Sequence, residues 1–197
     1  IVSQYPNKEC FAFRSGTTGQ NTRHTYSQLL DILNRVIQGF DKVIKMEKHT
    51  TVCIYLPNTL EYIYTQMAAL CGGFIMMPLN PLYTKPQLER LLPRVKPSVI
   101  VTMTQMLPKV PEGYNICLID RNAQTNVEKN MFAMYDFLNT PAEYNGVQEA
   151  AKILKPNDDV FYGCTSGSTG EPKICVYTHY SMINPFITYD HSKNTPL

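Results

Sequence analysis

The sequence predicts an α/β fold built on a parallel βαβαβ sheet unit. Two patterns and their spacing predict it. Residues 51–56, 74–77 and 99–103 are short runs of β-branched, aromatic and other apolar residues. Such runs are apolar on both strand faces, as in a parallel sheet covered by helices on each side. Between them lie two capped helical stripes with short connections, the spacing of right-handed parallel crossovers. With 197 residues, 44% of them hydrophobic and 17% charged, the chain can build a packed core of one ordinary domain or two small ones.

Residues 10–14 read as a short strand, and residues 15–23 as a polar, Gly-containing turn. Thr25 and Gln28 form a capping box. Tyr26, Leu29, Leu30, Leu33, Val36, Ile37 and Phe40 then recur at helical spacing. Lys42, Lys45 and Lys48 near its end read as a solvated face that suits the helix dipole. After the strand at 51–56, Asn58 with Glu61 caps a helix carrying Tyr62, Ile63, Met67 and Leu70, which Gly72-Gly73 stops. The strand at 74–77 closes on Pro78. Thr84 with Gln87 opens a third helix, with Leu88, Leu91, Leu92 and Val95 on one side and Pro93 expected to end or kink it.

Beyond the strand at 99–103, residues 116–119 read as a strand and 121–129 as a surface excursion. Residues 131–138 read as a short helix, and 139–157 as a linker with one helical turn. The organisation is thus a leading strand and helix (10–48), the βαβαβ core (51–120), an excursion and linker (121–157), and a closing strand, loop, strand and helix (158–184). Tyr55, Tyr62, Tyr64, Met67, Met76 and Met77 read as packing residues, and His24 and His49 as surface residues. Asp158 and Asp159 are adjacent on a strand and so face opposite ways, which argues against shared metal ligation.

Formal charge is +2, with no basic excess of the kind a nucleic-acid binder carries. The longest apolar run, residues 67–79, is broken by Gly72-Gly73 and falls short of the roughly 20 residues a spanning helix needs. No signal peptide opens the chain, which begins at Ile1. The six cysteines form no C-x-x-C pair and sit mostly in apolar runs, so they read as reduced core thiols. The four histidines show no ligand spacing with them, and no metal site is expected.

The segment that carries chemistry is Thr165-Ser166-Gly167-Ser168-Thr169-Gly170-Glu171-Pro172-Lys173. It follows a strand at 159–164 and precedes an apolar β-rich run at 174–177, after which Thr178-His179 begins a helix. His179 reads as support for that helix start. Glycine lets backbone approach a phosphate closely, successive N–H groups can form an anion-binding concavity, and hydroxyls and a lysine add donors. The loop is not a Walker A motif, because Pro172 precedes Lys173 and Ile174 follows it. A G-x-G-x-x-G fingerprint is also absent. On composition the loop fits either a phosphate cradle or a Ser/Gly surface turn.

The string TSGSTGEPK with its following strand and Thr178-His179 resembles the signature loop of the adenylate-forming (AMP-binding) superfamily. The blocks TYSQLL and VCIYLPNTLEYIYTQMAALCGGFIMMPLNPLYT resemble the same family in order, closest to its acyl-CoA synthetase, 4-coumarate–CoA ligase and luciferase-like branch. The resemblance covers nearly all of residues 10–184. It implies an N-terminal AMP-binding domain, truncated before the rest of that domain and the mobile C-terminal domain. It implies a ligase that couples ATP to a small carboxylic acid through an acyl-adenylate, with Mg2+ and with coenzyme A as co-substrate. Thr165, Ser166, Gly167, Ser168, Thr169, Gly170 and Lys173 would then hold the ATP phosphates. Ser168 and Thr169 would donate from their side chains, and Lys173 would orient the phosphates.

No catalytic set is complete in this chain, because adenine, acyl-pocket and C-terminal residues of the family have no matching position. Ile174 stands where the family commonly has Gly. As a whole molecule the 197 residues are expected not to complete adenylation. A truncated or degenerate copy acting as a non-catalytic binding module is the competing expectation, and an unrelated phosphate-binding protein the weaker third. The resemblance points to cytosol or peroxisome and leaves the oligomeric state and the acid open.

Overall fold

The computed structural model describes residues 2–16, 18–121, 130–165 and 172–193. Among these residues the chain forms a seven-stranded sheet and a separate hairpin. The hairpin pairs β1 (Glu9–Arg14) with β2 (Asn21–Thr25), antiparallel. The polar turn expected at 15–23 therefore ends in a second strand. Its half-buried Thr22 and His24 supply an inward face that the polar sequence conceals.

α1 (Tyr26–Gln38) opens on the expected capping box: Thr25 Oγ1 accepts from Gln28 N–H, and Gln28 Oε1 accepts from Thr25 N–H at 2.9 Å. The helix then widens into a π turn over Gly39–Ile44. Gly39 lies against the Phe137 ring, where a Cβ would sit 2.4 Å from the ring carbon.

Lys48 leaves the solvated face expected of it. Its ammonium donates to Asp41 at 2.6 Å and sits 4.3 Å over the Phe74 ring. His24 is likewise no free surface residue, since its Nε2 lies 2.5 Å from the Tyr64 hydroxyl. That contact ties the hairpin to α2 (Leu60–Gly72). The cap of α2 is Thr59, one residue after the expected Asn58, because the Thr59 hydroxyl accepts from Tyr62 N–H at 3.2 Å. Gly73 ends the helix in the left-handed region at φ 81.

The parallel core is β3 (Thr51–Ile54), β4 (Ile75–Pro78), β5 (Val99–Thr102) and β6 (Ile116–Leu118), continued by β7 (Met131–Ala133) and β8 (Asp159–Thr165). Spatial order is β7-β6-β5-β3-β4-β8-β9, and only β9 (Lys173–Thr178) runs antiparallel. The chain steps from β3 to β4 on one side, then returns past β3 to β5. A constant crossover hand then requires the two connecting helices on opposite faces. They are: Tyr64, Ala68 and Ala69 of α2 pack with α1 on one face, while α3 (Lys85–Val95) places Leu88, Leu91 and Leu92 on the other. Along β3 and the residue that follows it, Val52 and Ile54 face the first core, and Cys53 and Tyr55 the second. Each buried Leu or Val contributes roughly 1.5–3 kcal/mol relative to exposure.

Pro93 does not end α3, which continues to Val95. It lies exposed in the last turn, where water can take up the carbonyl its missing N–H leaves free. The segment read as a helix at 131–138 is instead β7 followed by α4 (Met134–Asn139). Pairing of Cys117 with Phe132 draws its first residues into the sheet edge. Within the segment read as linker, α5 (Gly146–Ile153) is a full eight-residue helix. Asn145 caps it by accepting from Gln148 N–H at 3.0 Å. The excursion at 121–129 lies, apart from Arg121, outside the described residues. α6 (His179–Lys193) closes the fold.

Candidate functional site

β8 and β9 form the hairpin that carries the Ser/Gly-rich loop. Their register pairs Gly163 with Cys175, Cys164 with Ile174 and Thr165 with Lys173. Residues 166–172 therefore connect two backbones held side by side. Gly163 makes room for an aromatic clasp lower in the hairpin: Phe161 and Tyr177 meet edge-on at 5.5 Å, and a Cβ on Gly163 would lie 3.1 Å from the Phe161 ring. β8 adjoins β4 in parallel, with Met76 opposite Phe161. The loop thus leaves the carboxyl edge of the parallel strands, beside the reversal of strand order at β3 and β4. Open α/β sheets bind ligands outside that edge, at such a reversal.

One described contact holds the outgoing end of the loop. Arg94 Nη1 donates to the Pro172 carbonyl at 2.9 Å. On the other side Tyr83 and Cys164 pack against the same core, the one under α3. Tyr83 is itself fixed, because Tyr55 Oη donates to its carbonyl at 2.6 Å, and Thr102 Oγ1 donates to the Tyr55 carbonyl at 2.9 Å. A hydrogen-bonded chain therefore runs from the buried end of β5 to Tyr83. Burial pushes the Cys164 thiol above its ordinary range, with Arg94 acting against the shift.

Of the residues expected to hold phosphates, Thr165 and Lys173 are described, both exposed and directly paired at the loop mouth. Ser166, Gly167, Ser168, Thr169 and Gly170 lie outside the described residues. His179 starts α6 at the far end of β9 and donates its backbone N–H to the Asp158 carbonyl at 3.1 Å. Burial lowers its pKa. Asp158 and Asp159 are separately engaged: Asp158 accepts from Lys155 N–H at 2.7 Å, and Asp159 accepts from the Tyr162 hydroxyl at 3.1 Å. Among the described residues no group of three or more His, Cys, Asp or Glu could hold a metal ion. Arg94, Tyr83 and Thr102 had no part in the sequence reading of the site. Only the Pro-Leu-Asn-Pro-Leu-Tyr-Thr stretch, which contains Tyr83, carried any signal.

A family model described as AMP-binding enzyme matches residues 1–196. The 4-coumarate–CoA ligase 3 of Arabidopsis thaliana is 31% identical over 183 residues, covering 92% of this chain and 31% of that protein. An acyl-CoA synthetase structure from Brucella canis superposes with a TM-score of 0.76 at 19% identity, over 90% of this chain and 32% of that one. A fatty acyl-adenylate ligase from L. pneumophila, solved with acyl adenylate and pyrophosphate, gives a TM-score of 0.64 at 20% identity, over 97% of this chain and 31% of that one. The chain spans about a third of the length of the curated relatives it matches.

Proposed function

The chain belongs to the AMP-binding enzyme family, and from that premise we propose that it is the N-terminal segment of an ATP-dependent carboxylate ligase. Residues 165–173 bind the β- and γ-phosphates of ATP. A carboxylate oxygen attacks the α-phosphorus, the bond from that phosphorus to the bridging oxygen of pyrophosphate breaks, and acyl-adenylate forms. In a second step the sulfur of coenzyme A takes the acyl carbon and AMP leaves. Backbone N–H groups, the Ser168 and Thr169 hydroxyls and Lys173 stabilise charge gathering on pyrophosphate. Mg2+ bound with the nucleotide would neutralise charge on the phosphates.

The observation that carries this reading is the Thr165–Lys173 register pair. It puts a cation and a hydroxyl at the mouth of a Ser/Gly loop on the carboxyl edge of a parallel sheet. The names of the relatives support the CoA step, and the acyl adenylate and pyrophosphate in the L. pneumophila structure support the first. Residues 1–197 by themselves do not complete adenylation in this reading.

The test is ATP–pyrophosphate exchange by the longest natural polypeptide that carries residues 1–197, across a panel of aryl and fatty acids. Exchange with at least one acid is expected, together with a loss of ten-fold or more for Lys173→Ala. Absence of exchange across the panel would sink the ligase reading.

A second reading, a non-catalytic binding module, draws on the apolar side chains Val176, Tyr177, Tyr180 and Ile183, each at least 40% exposed around β9 and α6. Such a surface favours association. A monodisperse monomer of residues 1–197 with a cooperative melt would count against it.

A further inference from the structure

One helix holds the outgoing end of the candidate loop. Arg94 stands in the last turn of α3 and bonds the Pro172 carbonyl at the outgoing end. Pro172 has no N–H to place in the β8–β9 ladder, so its carbonyl is the only backbone hydrogen-bonding group it offers. Arg94 uses one of five guanidinium donors on that carbonyl. The residue that follows is Lys173, the cation at the loop mouth.

We propose that Arg94 is a positioning residue for the phosphate loop, holding the Pro172 carbonyl so that the backbone carrying Lys173 stays set toward bound phosphates. The proposal rests on the phosphate-binding reading of residues 165–173. It differs from a general structural role in one respect. Arg94 and Lys173 act on the β- and γ-phosphates only, so a nucleotide without them does not register the loss.

The experiment compares Mg·ATP and AMP dissociation constants by calorimetry for the natural polypeptide, Arg94→Met, Arg94→Lys and Lys173→Ala. Methionine keeps the stem and removes the donors, and Arg94 is exposed, so the fold survives. Arg94→Met should weaken ATP about ten-fold, the scale of a lost hydrogen bond to a charged group, and leave AMP within two-fold. Lysine at 94 should recover part of that loss. Unchanged ATP affinity in Arg94→Met, with Lys173→Ala weakened, overturns the proposal and leaves the phosphate-loop reading intact. Equal weakening of ATP and AMP by Arg94→Met also overturns it. If Lys173→Ala binds ATP as tightly as the natural chain, the loop reading falls and takes the Arg94 proposal with it.

Discussion

His24 sits half-buried between the hairpin and α2, its ring stacked obliquely near Phe11 and Tyr64 at 5.5 and 5.7 Å. Burial disfavours the imidazolium and lowers the pKa from its ordinary 6.5. The sign follows from linkage. Above pH 6.5 the ring is neutral in both folded and unfolded chains, and its contribution to stability is fully present. As pH falls below 6.5 the unfolded chain takes up the proton first, and stability drains away until the folded ring titrates at its lowered value. His179 is shifted the same way by burial, so the two share that window. Chemical denaturation at pH 7.5 and 5.5 should show a smaller loss on acidification in His24→Asn than in the natural chain. Identical losses would mean that the His24–Tyr64 contact places no penalty on the charged ring.

Elements divide by how much of their cause is local. The stripe of α1, the Thr84–Gln87 start of α3 and the doubly buried β3 were legible because capping and periodicity operate within a few residues. β7 was not, since three residues, Met131 to Ala133, cannot declare a period, and their strand state comes from pairing with Ile116, Cys117 and Leu118. α5 begins at Gly146, a poor helix former, chosen because a Cβ there would lie 2.5 Å from an Ile37 carbon. In the candidate site, the loop composition announced itself. The Arg94 tether did not, because a lone arginine 78 positions from its partner leaves no pattern in sequence.

Gly39 tests the same distinction between local and tertiary causes. Alanine would gain about 1 kcal/mol of helix propensity, but its Cβ would meet three atoms of the Phe137 ring between 2.4 and 2.7 Å. Phe137 is buried on α4, and forcing extra volume against such a ring costs about 1–3 kcal/mol. Gly39→Ala should therefore be destabilising by urea denaturation. Combining it with Phe137→Leu should cost less than the sum of the two single changes. Strict additivity would show that the ring is not what forbids the side chain.

At the scale of the whole molecule, the sheet makes two cores into one cooperative body. Cys53 faces the core under α3, and Cys117 faces the core under α1 and α2. Both are fully buried, and burial pushes both thiols far above the usual range. They are separated by β5 alone, which pairs Ile100 with Cys53 and Val101 with Cys117. Both faces pack against the same ladder, so loss of one helical layer weakens the support of the other. Alkylation along a urea series, read by mass spectrometry, should label Cys53 and Cys117 at one shared midpoint. Two midpoints would mean that the helical layers peel from the sheet independently. Cys164 adds the comparison that matters for function. It is only half-buried and lies in the β8–β9 hairpin, which the Met76–Phe161 pair joins to β4. Labelling of Cys164 below the shared midpoint would identify the loop-bearing hairpin as the region that opens first. Bound ATP should then delay that labelling while leaving Cys53 and Cys117 in step with each other.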